Sequence, residues 1–326
     1  MTRKVTAALG WFSLFAIFLA TSVPAAEVTL RVGHGYADGQ PQDEAIKLFR
    51  KRLEELSNGK ATLQLFGNNS LGNDVQLIEG VLAGAIDITV VANGPVTNFV
   101  PEMKIFDMPF MFLDYAHLNK AVSGPLFDEV AKATQAKGMR LLGILSSGER
   151  HIMTKRPVTG IADLKGMKIR TLQNPVHLET FKAFGANPIA IAYGELYGAL
   201  QTGVVDGAEA ANNNYLAAKF YEVANQWAVV GWTHLTADIL VSDKKFASLP
   251  SDVQQALAQA GKDSAAFGRE LIAKTENALL EPLKKAGVSV TTLDAAPFRS
   301  SVKPVYEKFL TTDAEKRLHK LVQDVQ

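Results

Sequence analysis

Twice along this chain of 326 residues, short apolar runs of strand length alternate with longer segments of helical spacing. That pattern restricts the fold to an α/β architecture, because each helix must lay an apolar stripe on a sheet and the intervening strands must pair with one another. "VTLRVGHG" sets Val28, Leu30 and Val32 against Thr29 and Arg31 and runs into a loop. A helix is expected from Gln42 to Leu56, with Ile46, Phe49, Leu53 and Leu56 on one stripe and Asn58-Gly59 as its stop. The strand "ATLQLF", a helix around "DVQLIEGVLAG" and the strand "AIDITVVAN" complete a βαβαβ opening, one half of a doubly wound sheet.

Phe99 to Tyr115, rich in aromatics and interrupted by Pro101 and Pro109, is expected to be a packed crossover. A helix from Ala116 to Lys137 and the strand "MRLLGIL" follow. "SSGERHIMTKRPV" then shifts from small and polar to charged, as expected where a chain passes between domains. From Ile161 the alternation restarts: strands at "MKIRTL", "NPIAI" and "VVDGAEA" are separated by helices at "PVHLETFKAFG" and "YGELYGALQTG". Strands near "WAVVGW" and "DILVS" precede a helical stretch from Pro250 to about Ala286, long enough to brace two lobes. The expected division is a signal segment 1–25, a first lobe of 26–147 with 236–275, and a second lobe of 148–235 with 276–326.

Composition excludes several classes of function. With no cysteine, disulfides, thiolate catalysis and cysteine-ligated metals are ruled out. The six histidines never fall at metal-ligand spacing, so no metal or other cofactor is expected. Met1 to Lys4 is a short basic region, and Val5 to Ala20 is apolar apart from Thr6 and Ser13. Val23 and Ala25 stand in the minus-three and minus-one places, so this reads as a secretory signal cut near Ala25, and a periplasmic protein is expected. The alternative, an uncleaved anchor, would need a longer run, of about 20 residues. Removing Arg3 and Lys4 takes the 34 basic residues to 32 against 33 acidic ones, a near-neutral balance with no pull toward nucleic acid or anionic lipid.

Within "MKIRTL" the alternation puts Arg170 at the carboxyl end of a strand, where open α/β sheets bind ligands. A guanidinium there offers a two-pronged grip for a carboxylate, although a structural salt bridge would place an arginine there equally well. "GERHIMTKRPV", "DLKGMKIRT", "FGANPIAIAYGELYGALQTGVVDGAEA" and "KFYEVA", in that order, resemble the DctP-type solute-binding proteins of TRAP transporters. The spacing L-K-G-x-K-x-R followed by E-x-Y-x-A-L-Q-x-G-x-V-D-G-x-E is specific, and the likeness runs from "RVGHG" to the C-terminal helices.

The resemblance implies a two-lobed periplasmic binding protein fold. Each lobe would be a mixed sheet flanked by helices, with a ligand cleft between the lobes and a long bracing helix. It also implies a small organic acid as ligand, TRAP membrane permease subunits as partners, a monomer, and binding without catalysis. By position, Arg170 would pair with the ligand carboxylate and Arg150 would contribute from the same side, with Tyr193 lining the site. His34, Gly35, Asp74 and Asn93 would contact ligand from the first lobe; Glu209, Asn212 and Asn213 would suit the hydroxyls of a sugar acid, and Trp232 would offer an aromatic face to its C–H edges.

The chain departs from the family pattern in placing Ala210 and Ala211 ahead of Asn212-Asn213-Asn214, Trp232 where histidine is frequent, and Gln42 where histidine is common in the first helix. A sugar acid is the expected ligand, with a C4-dicarboxylate as the alternative. A periplasmic ligand sensor for a membrane kinase is the alternative to transport. An enzyme is disfavoured, since no G-x-S-x-G elbow, H-E-x-x-H or phosphate loop occurs.

Overall fold

Two separate sheets organise the chain, as the two runs of alternation require. The computed structural model describes residues 27–326, so the expected signal segment 1–25 lies outside the described residues. The strands are β1 (Val28–His34), β2 (Ala61–Phe66), β3 (Ile88–Ala92), β4 (Met139–Glu149), β5 (His151–Thr154), β6 (Lys168–Thr171), β7 (Asn187–Ala190), β8 (Gly207–Ala210), β9 (Gln226–Val229), β10 (His234–Ser242) and β11 (Ser289–Thr292). The first sheet has the order β2-β1-β3-β10-β4 and the second β11-β9-β5-β8-β6-β7. Both are mixed: β1 is parallel to β2 and β3 while β10 is antiparallel to β3 and β4, and β6 is parallel to β7 and β8 while β5 is antiparallel to β8 and β9.

The chain passes from one sheet to the other at Arg150, between β4 and β5, inside the stretch whose composition shift suggested a crossing. It returns between β9 and β10. These crossings put the carboxyl ends of β1, β3, β4 and β6 around one space, the arrangement in which α/β proteins bind ligands.

Two expected helices are broken, each by a proline. The helix expected over 116–137 is two helices, Tyr115–Val122 and Pro125–Ala136, because Gly124-Pro125 starts a new first turn. The bracing helix runs over Ser251–Thr275 and then tightens into a 3-10 turn, Glu276–Leu279, before a short helix, Leu280–Lys285. Pro282 explains the break, since its ring would clash with the carbonyl four residues back in a continuous helix. The last helix, Asp313–Gln323, packs against first-unit elements: Glu315 pairs with Lys104, Arg317 with Glu129, and the Val322 carbonyl meets His117 Nε2 at 2.9 Å. A lobe boundary that leaves all of 276–326 in the second unit therefore does not describe this helix. Among the described residues no helix is long and apolar enough to cross a membrane.

The bracing helix lies close against β4 because two glycines face each other there. A Cβ on Gly143 would stand 2.8 Å from the Gly261 carbonyl, and one on Gly261 would stand 2.7 Å from Leu142 Cβ. The second sheet has a tighter point. A Cβ on Gly207, in β8 between β5 and β6, would come within 2.4 Å of the Met153 carbonyl oxygen, a backbone atom that cannot swing aside. Gly207→Ala should therefore cost about 1–3 kcal/mol as overpacking. In thermal unfolding that is a melting temperature lower by several degrees; an unchanged value would mean that the sheet has slack at this position.

Candidate ligand-binding cleft

At the strand ends the most informative side chain is Arg170, fully buried at the end of β6. Its Nε donates to the Ile191 carbonyl at 2.8 Å and its Nη1 reaches Glu209 Oε1 at 3.4 Å. Its Nη2 is buried with no hydrogen-bond partner. An unpaired guanidinium nitrogen in a protein interior is costly unless something fills the role of acceptor. Burial pulls the group down to about 10, with Glu209 opposing and the like charge of Arg150 adding to the fall, so it stays a cation at neutral pH.

Arg150 is differently placed. Its Nε donates to Glu209 Oε2 at 2.6 Å, its Nη2 to the Glu209 carbonyl at 3.1 Å and its Nη1 to Asn214 Oδ1 at 3.1 Å. One buried carboxylate thus holds two buried guanidiniums. The cluster carries a single net positive charge, matched to one anionic group.

Two adjoining cavities open beside this cluster and share Asp74, Leu172 and Tyr193. The first also has Arg170, Asn69 and Asn73 in its wall. The second, of about 40 Å³, has Arg150, Asn214, Gly35, Tyr36 and Ser147. Arg170, Arg150, Tyr193, Asp74 and Gly35 are thus brought together as the sequence suggested, and Glu209 sits behind them as the counter-ion of both arginines. Asp74 opens the helix Asp74–Ala83, whose start is fixed by the Asn73 capping box. Burial raises its carboxyl to about 6, against the pull of a bond from the Ala92 backbone and the charge of Arg170. Burial also raises the Tyr193 phenol, against both arginines.

Four expected contacts are elsewhere. Asn212 opens the short helix Asn212–Ala217 and turns away from the cavities. Its Oδ1 accepts from Trp227 Nε1 at 2.8 Å and its Nδ2 donates to the Glu276 carbonyl at 3.1 Å. Two positions along a helix is a rotation of about 200°, so Asn214, not Asn212, faces Arg150. Trp232 is fully buried in apolar core, edge-on to His177 at 4.8 Å and to Phe181 at 5.3 Å. Asn93 donates to the Met103 carbonyl at 3.0 Å and to Asp107 Oδ2 at 2.6 Å, inside the protein. His34 lies behind the wall, stacked on Tyr36 and 4.0 Å from Asp43, with burial lowering its basicity.

Tyr36, Ser147 and Asn69 line the cavities and were not anticipated from the sequence. Ser147 could have been found from its place near the carboxyl end of β4, and Tyr36 from its place just beyond β1. Glu276, at the break in the bracing helix, accepts from the Asn212 backbone at 2.6 Å and from Asn213 Nδ2 at 2.9 Å. Its carboxyl is raised to about 7 by burial. A larger hollow of about 570 Å³ between Val122–Asp128 and the bracing helix has Arg269 in its wall, but that side chain is already bonded to Asn119 and the Ile144 carbonyl.

Residues 32–313 match the family model for bacterial extracellular solute-binding protein, family 7 (DctP). The chain is 33% identical over 330 residues to the 2,3-diketo-L-gulonate-binding periplasmic protein YiaO of Escherichia coli K12, covering 99% of each. Its fold is similar to that of a TRAP periplasmic solute-binding protein from Xanthobacter autotrophicus Py2 solved with bound β-D-galacturonate. The TM-score is 0.88 at 30% identity, over 91% of this chain and 100% of that one. It is also similar to the sugar acid binding protein DctPAm of Advenella mimigardefordensis, solved in complex with galactonate, at a TM-score of 0.88 and 29% identity over 93% and 100%. With two mixed sheets, a cleft at their strand ends and a family match over nearly all of the described residues, the chain belongs to the DctP family of TRAP solute-binding proteins.

Proposed function

We propose that this protein is a periplasmic receptor that binds one sugar acid, an aldonate or uronate, through Arg170 and delivers it to the membrane permease of a TRAP transporter. The observation that carries this reading is the buried Arg170 Nη2, which has no protein partner beside a cavity. A ligand carboxylate there would supply the missing acceptor and balance the one net charge of the Arg150–Glu209–Arg170 cluster. Relatives solved with galacturonate and galactonate support a sugar acid. The engagement of Arg150 with Glu209 and Asn214 disfavours a dicarboxylate, because a second acid would need a second available cation. The family and fold are those of binding proteins, and the role is capture without turnover.

Capture would proceed by closure of two units, 26–147 with 236–275 and the last helix, and 148–235 with 276–312, about the crossings beside Arg150 and between β9 and β10. A cavity of about 40 Å³ between them supports this, since a sugar acid needs the units to part before it enters. The export segment 1–25 would deliver the protein to the periplasm. A thermal-shift panel tests the reading: galacturonate, glucuronate, galactonate and gluconate against succinate and malate. Sugar acids should raise the melting temperature by several degrees, as expected for ligand at a hundredfold or more over its Kd. Stabilisation by succinate or malate with none by the sugar acids would overturn it.

A further inference from the structure

We propose that Asp74 restricts the cleft to acids with a single carboxylate, accepting hydroxyl groups of the ligand and repelling any carboxylate beyond the one that Arg170 holds. This rests on the sugar-acid reading and adds a rule to it: six-carbon aldonates and uronates are taken, and the corresponding aldarates, which differ in carrying an acid at both ends, are refused.

The two walls of the cleft are electrically unlike. Both cations, Arg150 and Arg170, stand at or beyond the crossing into the second sheet, and Glu209 of β8 is gripped between them. The opposite wall holds Gly35, Tyr36, Asn69, Asn73, Asp74 and Ser147, and neither cavity has a basic residue on that side. Asp74 lines both cavities, the smaller together with Arg170 and the larger together with Arg150, so a ligand whose carboxylate meets Arg170 has this wall beside it. There it meets one formal negative charge, Asp74, and the buried hydroxyl of Tyr36 beside Ser147. Hydroxyl groups can donate to a carboxylate, whereas a second carboxylate can only oppose it, in a site where water does little to screen the two.

The raised carboxyl of Asp74, about 6, shows that burial already outweighs the help it receives from the Ala92 backbone and Arg170. A further anion beside it would be tolerated still less. The charged and titratable groups about Asp74 are Arg170 of β6, Arg150 after β4, Tyr36 after β1, Tyr193 ahead of the helix Leu196–Thr202, and Asp238 of β10, which acts on Tyr36 with it and whose carboxyl burial holds well above the usual range. Guanidiniums and phenols do not change charge between pH 5 and 7.5, and Glu209 lies on the arginine side.

Binding of galactonate and of galactarate, the diacid on the same carbon chain, should be measured by calorimetry for the wild type and Asp74→Asn at pH 7.5. The wild type should prefer galactonate by about tenfold or more, and the variant should lose most of that preference. Asparagine keeps the shape of the side chain, and melting curves check folding. The wild type supplies a second measurement that needs no variant. As pH falls from 7.5 to 5, Asp74 gains its proton while both ligands stay ionised, so the preference should narrow, and in Asp74→Asn it should narrow by clearly less, the remainder belonging to Glu276, whose carboxyl also titrates in this range. A ratio unaffected by both substitution and pH would overturn the role of Asp74, as would tight binding of galactarate by the wild type. A wild type that binds no aldonate or uronate would overturn the sugar-acid reading itself, and this rule with it.

Discussion

Replacing Arg170 with lysine should remove tight sugar-acid binding while leaving the protein folded. Lysine keeps the charge but offers one nitrogen, and that nitrogen cannot at once serve the Ile191 carbonyl, Glu209 and a ligand, as the three nitrogens of arginine can. Losing a buried charge-assisted partner costs ~2–5 kcal/mol. Affinity should therefore fall by about thirtyfold to a few thousandfold. Calorimetry with a ligand found in the thermal-shift panel reads this directly, and circular dichroism with a melting curve establishes that the variant is folded. Binding within about twofold of wild type would remove the carboxylate grip from Arg170.

Glu209→Ala should produce the largest loss of stability of any single substitution in the cleft. Its carboxylate lies 2.6 Å from Arg150 Nε and 3.4 Å from Arg170 Nη1, and all three residues are buried. Without it, two guanidiniums face one another in the interior with only Asp74, beside Arg170, to offset them. Breaking a buried pair costs ~3–5 kcal/mol. In a chain of this length that is a fall in melting temperature on the order of 10 °C. A saturating monocarboxylate should restore part of the loss, since it returns one negative charge to the cluster and binds only the folded state. A melting temperature within about 2 °C of wild type would mean that the arginines find other partners or solvent.

Much of this site could be read from the sequence because it depends on local rules. A strand that ends in Arg170 before "QNP", in a chain patterned as α/β, places that side chain where sheets bind ligands. The expected strands appear in both sheets for the same reason: alternation and turn residues act over a few positions. What could not be read depends on contacts between distant residues. Arg150 meets Glu209 across 59 positions, and only the antiparallel pairing of β5 with β8 brings them together. Trp232 offered an aromatic face to a sugar, yet its ring completes a core with His177 and Phe181 that no local pattern reveals. Asn212 and Asn214 differ only in the phase at which a helix begins, and a shift of two residues exchanges the inner face for the outer. The break after Thr275 is a different case, because Pro282 was visible in the sequence and sufficient to predict it.

The helix Asn212–Ala217 is six residues long and has a different attachment on each side. On one side Asn214 holds Arg150, and on the other Asn212 and Asn213 hold Glu276, where the bracing helix ends. So short a rod cannot bend along its length to let the two sides move separately. It would act as a rocker: a tilt that drew Asn214 from Arg150 would also pull on the joint of the brace. A change at Arg150 on one side and at that joint on the other would thus be geared to each other through a single turn and a half of backbone.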